Sequence, residues 1–328
     1  MVAGALTGSR CDEHIRPIDV ARDLDALANL IEICFRDELA VTRSNLVRDL
    51  RSMARWGLLL WLLQPFMDPL RGYVWVEDGR LVGNVTLAKR HDGIWNLSNV
   101  AVLPSYRGQG IAGHLVDAGI EYARRQGATT LTLEVRENNE VAQHIYRQRQ
   151  FHRYDTVHEM LLFNDHWPRI VPDSAPVGSV RSARPADRQA LQRLVSASTP
   201  PEARLVSPLA RKRFGRGPLT RLGEFLGLML SGSQTRELVA EEQGRLVAYL
   251  ALEQKLTDEP AELSLVVHPQ ARGRWERSLL LIALWMLSRL SRGTTLCRVS
   301  RSHKAGVQAL EELGFHTVRV LDQMALQL

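Results

Sequence analysis

The sequence predicts an α/β protein made of two α/β sandwiches in tandem, each a mixed central sheet flanked by helices. Three observations carry that expectation. The chain has 328 residues, too long for one ordinary domain and suited to two of about 150 residues each. Runs with helical apolar spacing interleave with short β-branched runs, the order of a sheet covered by helices. The chain also repeats itself. Gly79-Arg80-Leu81-Val82 returns as Gly244-Arg245-Leu246-Val247, and Pro104, Arg107 and Gly108 return as Pro269, Arg272 and Gly273, each 165 positions later. Thr129-Thr130-Leu131 returns as Thr294-Thr295-Leu296 at the same offset, and Phe151 is matched by Phe315 after one deletion. Several matches at one offset mark a duplication.

The elements of the first copy follow in order. Leu24, Leu27, Leu30, Ile31, Cys34 and Phe35 recur at helical spacing and predict a helix over about Val20–Leu39. Tyr73–Val76 and Leu81–Ala88 read as a hairpin around Asp78-Gly79. Leu97–Leu103 is a strand stopped by Pro104, and a helix runs from Gly110 to about Gln126 with Gly127 as its stop. Thr129–Val135 alternates and is β-branched, a strand; Asn139–Gln150 is a second helix, followed by a strand over about Arg153–Phe163. Three prolines with Gly and Ser punctuate Trp167–Val180, with no apolar periodicity across them. The expected domains are therefore residues 1–167 and 181–328, joined by a linker at 168–180.

Composition narrows the function classes. Apolar residues make up 45% and charged residues 24%, as in a soluble globular protein. The net charge of +6 is modest, and the densest basic run, Arg211-Lys212-Arg213 with Arg216, is short. No nucleic-acid partner is expected from it. Cys11, Cys34 and Cys297 have no paired spacing, which predicts free thiols, a cytoplasmic location and no metal site. The N-terminus has no signal-peptide pattern. The most apolar segment, Trp56–Met67, has 12 residues and contains Pro65. That is short of the roughly 20 needed to cross a bilayer, so no membrane partner is expected and a buried helix or cleft lid is the better reading.

The informative stretch is Val100-Ala101-Val102-Leu103-Pro104-Ser105-Tyr106-Arg107-Gly108-Gln109-Gly110-Ile111-Ala112. A strand ends, a turn carries Arg107 and two glycines, and a helix begins. Unpaired N–H groups and the positive end of the helix dipole meet there, and glycine lets a ligand approach the backbone. Such a turn suits a pyrophosphate. It lacks the GK[ST] ending of a P-loop and the G-x-G-x-x-G of dinucleotide binders, so ATP and NAD are poorly supported.

Downstream lie Leu133-Glu134-Val135-Arg136-Glu137-Asn138-Asn139, then Ala142, Tyr146 and Phe151. With these residues, positions 14–163 resemble the GNAT superfamily of N-acetyltransferases. Its R-G-x-G-x-A/G signature is matched at Arg107, Gly108, Gly110 and Ala112, and its N-x-x-A-x-x-x-Y helix at Asn139, Ala142 and Tyr146. The resemblance implies an acetyltransferase fold in both copies and acetyl-CoA as co-substrate, with no metal. It implies that the backbone of Val100, Ala101 and Val102 pairs with the pantetheine arm. Amides from Arg107, Gly108, Gln109, Gly110, Ile111 and Ala112 would hold the pyrophosphate, and Asn139 would contact the pantetheine or acyl region. Tyr146 would be the general acid. Leu133-Glu134-Val135-Arg136 is similar to bacterial ribosomal-protein N-terminal acetyltransferases, which implies Glu134 as general base, with Glu137 as runner-up. One departure is Gln150, where the family has glycine.

The second copy reads as degenerate. Trp275 stands at the place of Gly110 and Arg277 at that of Ala112, and an indole there is expected to obstruct a pyrophosphate. Without gaps, Glu134, Asn139 and Tyr146 correspond to Val299, Lys304 and Glu311. The expected reaction is acetyl transfer from acetyl-CoA to a primary amine, by direct attack, in the first domain. Two alternatives are a non-catalytic acyl-CoA-binding regulatory module and a transferase of longer acyl chains. The acceptor is a small molecule or a peptide N-terminus, and the protein a monomer or homodimer.

Overall fold

The structure, a computed structural model, describes residues 14–36, 46–55, 71–91, 93–168, 180–204, 234–254, 259–290 and 293–328. The apolar Trp56–Met67 segment, the basic run at 211–216 and nearly all of the expected linker lie outside these residues. The chain divides into two compact units, and the division differs from the sequence repeat. The first holds the chain up to Val135, then Asn139–His152, then Met324–Leu328; the second holds Arg136–Asn138 and Arg153–Gln323.

In the first unit, strands β1 (Ile15–Pro17), β2 (Arg71–Glu77), β3 (Arg80–His91), β4 (Ile94–Val102) and β5 (Thr130–Arg136) lie in sequence order. Neighbours are antiparallel except β4 and β5, which are parallel. The hairpin between β2 and β3 turns at Asp78 and Gly79, with φ of +48° and +75°. Left-handed backbone at both positions is what a tight two-residue hairpin requires. Helices α1 (Val20–Cys34), α2 (Leu46–Arg55), α3 (Ile111–Arg125) and α4 (Glu140–Gln148) flank the sheet. The side chain of Asp19 caps α1 by accepting from the N–H of Ala21. Helix α3 buries Ile111, Leu115, Val116, Ile120 and Ala123, and two glycines let it approach the sheet closely. A Cβ on Gly83 would lie 3.0 Å from Leu115 Cδ1, and one on Gly119 would lie 3.1 Å from Leu97 Cδ1.

The last strand is where sequence and structure part. Strand β12 (His316–Gln327) begins in the second unit, and its end belongs to the first. There Leu328 donates its N–H to Thr129 O at 3.0 Å, and Met324 and Leu326 are buried in the core with Leu131, Leu133 and Val135. Conversely β6 (His152–Leu162), the last strand of the first repeat, lies in the second unit. It runs antiparallel to β11 (Thr295–Ser300), from Leu162 opposite Thr295 to Val157 opposite Ser300. The first repeat thus gives its terminal strand from Arg153 onward to the second unit, and the second repeat gives the end of its own, from Met324, to the first. Two copies of one pattern offer nearly equivalent partners, so alternation of apolar residues cannot say which sheet a strand joins.

The second unit orders its strands as β12-β6-β11-β10-β9-β8-β7, with β7 (Val180–Ser182), β8 (Gln234–Glu242), β9 (Arg245–Gln254) and β10 (Ala261–Val267). Helices α5 (Arg188–Ser198), α6 (Glu276–Leu290) and α7 (Lys304–Glu312) complete it. Its core gathers Met160 and Leu162 of β6 with Leu250, Leu263, Leu280, Leu284 and Phe315. No described helix is long and apolar enough to cross a membrane.

Candidate functional site

The site begins with a fault in the first unit's sheet. The register of β3 against β4 shifts where Thr86 faces Ser98 and Asn84 faces Ala101, so Asn99 and Val100 together oppose Val85. Asn99 sits at φ +52°, a conformation that asparagine tolerates better than most residues. The bulge is held by side chains. Asn84, fully buried, donates to Asn99 O at 3.0 Å, and Asn99 Nδ2 donates to Thr86 Oγ1 at 2.9 Å. Sequence reasoning missed Asn84 and Asn99; an asparagine inside a β-branched run was the available signal.

The parallel pairing of β4 with β5 covers only Ile94–Asn96 against Thr130–Thr132. Past it the two strands diverge, and the bulge re-aims the far half of β4. Val100, Ala101 and Val102 therefore present backbone on a splayed edge, where an extended ligand can pair as an added strand.

Strand β4 runs into the turn. A short 3-10 helix over Pro104–Tyr106 leads to Arg107, whose Nε donates to Val102 O at 3.1 Å and ties the turn to the strand. Gly108 and Gly110 follow at φ +78° and +79°. Gly110 is the N-cap of α3 and supplies no side-chain cap. Its amide and that of Gly108 have no hydrogen-bond partner among the described residues. A Cβ on Gly108 would meet nothing within 4 Å. Orphan amides at the positive end of a 15-residue helix are suited to hold an anion. Ile111 and Ala112 continue it into the first helical turn, and Gln109 is exposed between the glycines. Beside it, His114 stacks on Trp75 at 5.7 Å, and His14 stacks on the same indole at 5.5 Å. The imidazole of His114 would lie 3.9 Å from a Cβ placed on Gly110.

Helix α4 carries the other candidates. Asn139 is its N-cap, and its side chain accepts from the N–H of Ala142 at 3.1 Å. Its carbonyl oxygen is thereby engaged in capping. Tyr146 is 6% exposed, its ring packs edge-on to Phe151 at 5.9 Å, and its hydroxyl has no hydrogen-bond partner among the described residues. Burial pushes its phenol up to about 12. Tyr146 shares one core with Ala101, Val102, Ile111, Leu133 and Val135, so the helix, the turn, the bulged strand and β5 meet around it. Gln150, where the family has glycine, keeps the glycine-like backbone at φ +66°, and Gly314 holds the matching place in the second repeat at φ +87°.

The two carboxylates differ. Glu134 is exposed on β5, beyond the point where pairing with β4 ends. Glu137 belongs to the second unit, where Arg301 grips both its oxygens at 2.6 and 2.7 Å. The Arg301 hydrogen bond, against a smaller opposing effect of burial, holds Glu137 below the usual carboxylate range. A carboxylate so engaged is a poor base.

The second unit's counterparts correct two expectations. Lys304 opens α7 as Glu140 opens α4, an offset of 164, so the deletion falls before the helix. Asn139 therefore corresponds to His303 and Tyr146 to Leu310, which replaces the ungapped pairing with Lys304 and Glu311. The indole of Trp275 does not cover the turn either. It is 6% exposed, packs in the core of its unit and donates to Glu242. The strands β9 and β10 also keep an unbroken register, with no bulge.

The acetyltransferase (GNAT) family matches residues 26–151, which contain the bulge, the turn and α4. A Bacillus subtilis (strain 168) protein, provisionally named a ribosomal protein bS18-alanine N-acetyltransferase, is 33% identical over 88 residues. That match spans 25% of this chain and 54% of the relative, about half its length. A GNAT-type acetyltransferase structure from Sphaerobacter thermophilus superposes with a TM-score of 0.64 at 17% identity, over 95% of both chains. A tandem GNAT protein from the clavulanic acid biosynthesis pathway gives a TM-score of 0.60 at 18% identity, over 95% of this chain and 98% of its own. At these identities the structures show the fold, two such units in tandem. Residues 26–151, which hold the bulge, the glycine turn and α4, are thus the stretch of this chain that is similar to the acetyltransferase (GNAT) family.

Proposed function

We propose that the first unit transfers an acetyl group from acetyl-CoA to a primary amine, with no covalent enzyme intermediate. The observation that carries this reading is the uncapped Gly108–Gly110 turn at the start of α3, adjoining the splayed edge of β4. The turn takes the pyrophosphate, the edge at Val100–Val102 takes the amide-rich pantetheine arm, and the thioester is carried toward α4. The amine nitrogen attacks the thioester carbonyl, a C–N bond forms and the C–S bond breaks. Glu134 accepts the proton that leaves the amine, directly or through water.

Tyr146 stands toward the departing sulfur. A phenol near pKa 12 lies about three and a half units above a thiol at about 8.5. Full proton transfer to the thiolate is then uphill by roughly 5 kcal/mol. Its main contribution is a hydrogen bond to the sulfur as charge develops, in a site shielded from water. Most of the acceleration comes from holding amine and thioester together.

Glu134 and the Bacillus subtilis relative's name favour a peptide α-amine as acceptor. The free thiols Cys34 and Cys297 suit a cytoplasmic protein. The test is release of free CoA from acetyl-CoA in the presence of an alanine-initiated peptide, spermidine or free lysine. Turnover with one acceptor class, lost in Glu134→Gln, supports the reading; binding of acetyl-CoA without turnover on any amine favours the non-catalytic alternative.

A further inference from the structure

The second unit has its own glycine turn, and something already occupies it. Gly273, the counterpart of Gly108, and Trp275, the counterpart of Gly110, both donate their backbone N–H to Glu276 Oε2, at 2.8 and 3.2 Å. The other oxygen, Oε1, lies 2.8 Å from His303 Nε2. Glu276 is 1% exposed and His303 5%. In the first unit the place of Glu276 is held by Ile111, and the matching amides have no partner among the described residues.

A third position completes the arrangement. A Cβ on Gly306 would come within 2.9 Å of the His303 ring, whereas the first repeat has Ala142 there. Positions 276, 303 and 306 are thus fitted to one another. Burial works against ionisation of Glu276, but the hydrogen bonds from His303 and Gly273 outweigh it and keep the carboxyl below its usual range.

We infer that the Glu276 carboxylate is an internal anion, seated in the turn where a ligand phosphate would bind, and that it closes the second unit to phosphate-bearing ligands, CoA among them. The inference rests on reading the first unit's turn as a pyrophosphate site. The cleft beside it stays open. Parallel pairing of β10 with β11 ends at Leu263 and Cys297, and a cavity of about 360 Å³ lies there, lined in part by Arg272, Ser300 and His303.

The test is calorimetric titration of sodium pyrophosphate into the full chain and its Glu276→Ala variant. The variant is expected to bind one more pyrophosphate per chain than the wild type. The gain is from one to two if the first turn also binds, and from none to one if it does not, so failure of the first reading is distinguishable. No added site in folded Glu276→Ala, or a second site already present in the wild type, overturns the inference. Amide hydrogen exchange in the wild type decides the matter if the variant does not fold. Gly273 and Trp275 amides should exchange at least about 100-fold more slowly than those of Gly108 and Gly110. Equal rates overturn it.

Discussion

In Tyr146→Phe a single oxygen leaves a residue that is 6% exposed, while the ring keeps its edge-on contact with Phe151. Because the hydroxyl has no partner among the described residues, stability at pH 8 should be unchanged or up to about 1 kcal/mol higher. In the proposed mechanism the same atom donates a hydrogen bond to the leaving thiolate, so kcat should fall about 10²- to 10³-fold. A pH signature ties the two together. Burial raises the phenol to about 12 in the folded chain, against about 10 when unfolded. A folded value above the unfolded one gives a contribution that is complete below pH 10 and disappears as pH rises toward 12. Two units correspond to about 2.7 kcal/mol, with roughly 1.4 kcal/mol gone by pH 11. Urea unfolding at pH 8 and pH 11 should therefore show the wild type losing about 1.4 kcal/mol more than Tyr146→Phe. A variant that keeps its rate within threefold refutes the role of the hydroxyl. A loss above about 2 kcal/mol at pH 8 refutes the claim that the hydroxyl has no structural partner.

Other substitutions probe separate parts of the account. Gln150→Gly should stabilise by about 0.5–1 kcal/mol, because it relieves a left-handed backbone at φ +66° and loses part of that gain to glycine's unfolded-state entropy. The reciprocal Gly314→Gln should destabilise more, since its Cβ would lie 3.0 Å from His166 O; chemical denaturation reads both. Glu134→Gln should lower kcat/KM at least 100-fold at pH 7, whereas Glu137→Gln should change it less than twofold and reduce stability by no more than about 1 kcal/mol, as an exposed ion pair. Deleting residues 324–328 removes the buried Met324 and Leu326 from the first unit's core. It should destabilise that unit by about 4 kcal/mol or more and weaken acetyl-CoA binding, measured by denaturation and titration.

Much of the candidate site's local geometry could be read in the sequence because it depends on neighbouring residues. The turn needs glycine at two left-handed positions next to a helix start, and Gly108 and Gly110 stand there. Asn139 and Tyr146 are spaced along one helix, so their common element followed directly. What could not be read depends on distant partners. The placement of β6 and of the end of β12 is a choice between two nearly identical sheets. The bulge at Asn99 needs Asn84 and Thr86 on another strand to hold it. In the second unit the residue type at position 275 suggested obstruction, yet Trp275 points into the core and the smaller Glu276 fills the turn. Volume at an aligned position says little until the direction of the side chain is known.

The exchanged strand also determines how the central claim must be tested. Because residues 324–328 belong to the first unit, the full chain is the proper sample, not its first half. Acetyl-CoA titrated calorimetrically into the full chain should reveal one site per chain, abolished in a folded Ile111→Glu variant, whose carboxylate takes the place that Glu276 holds in the second unit. No binding to the folded wild type, or undiminished binding to folded Ile111→Glu, would contradict the assignment of the first unit's glycine turn as the acetyl-CoA site.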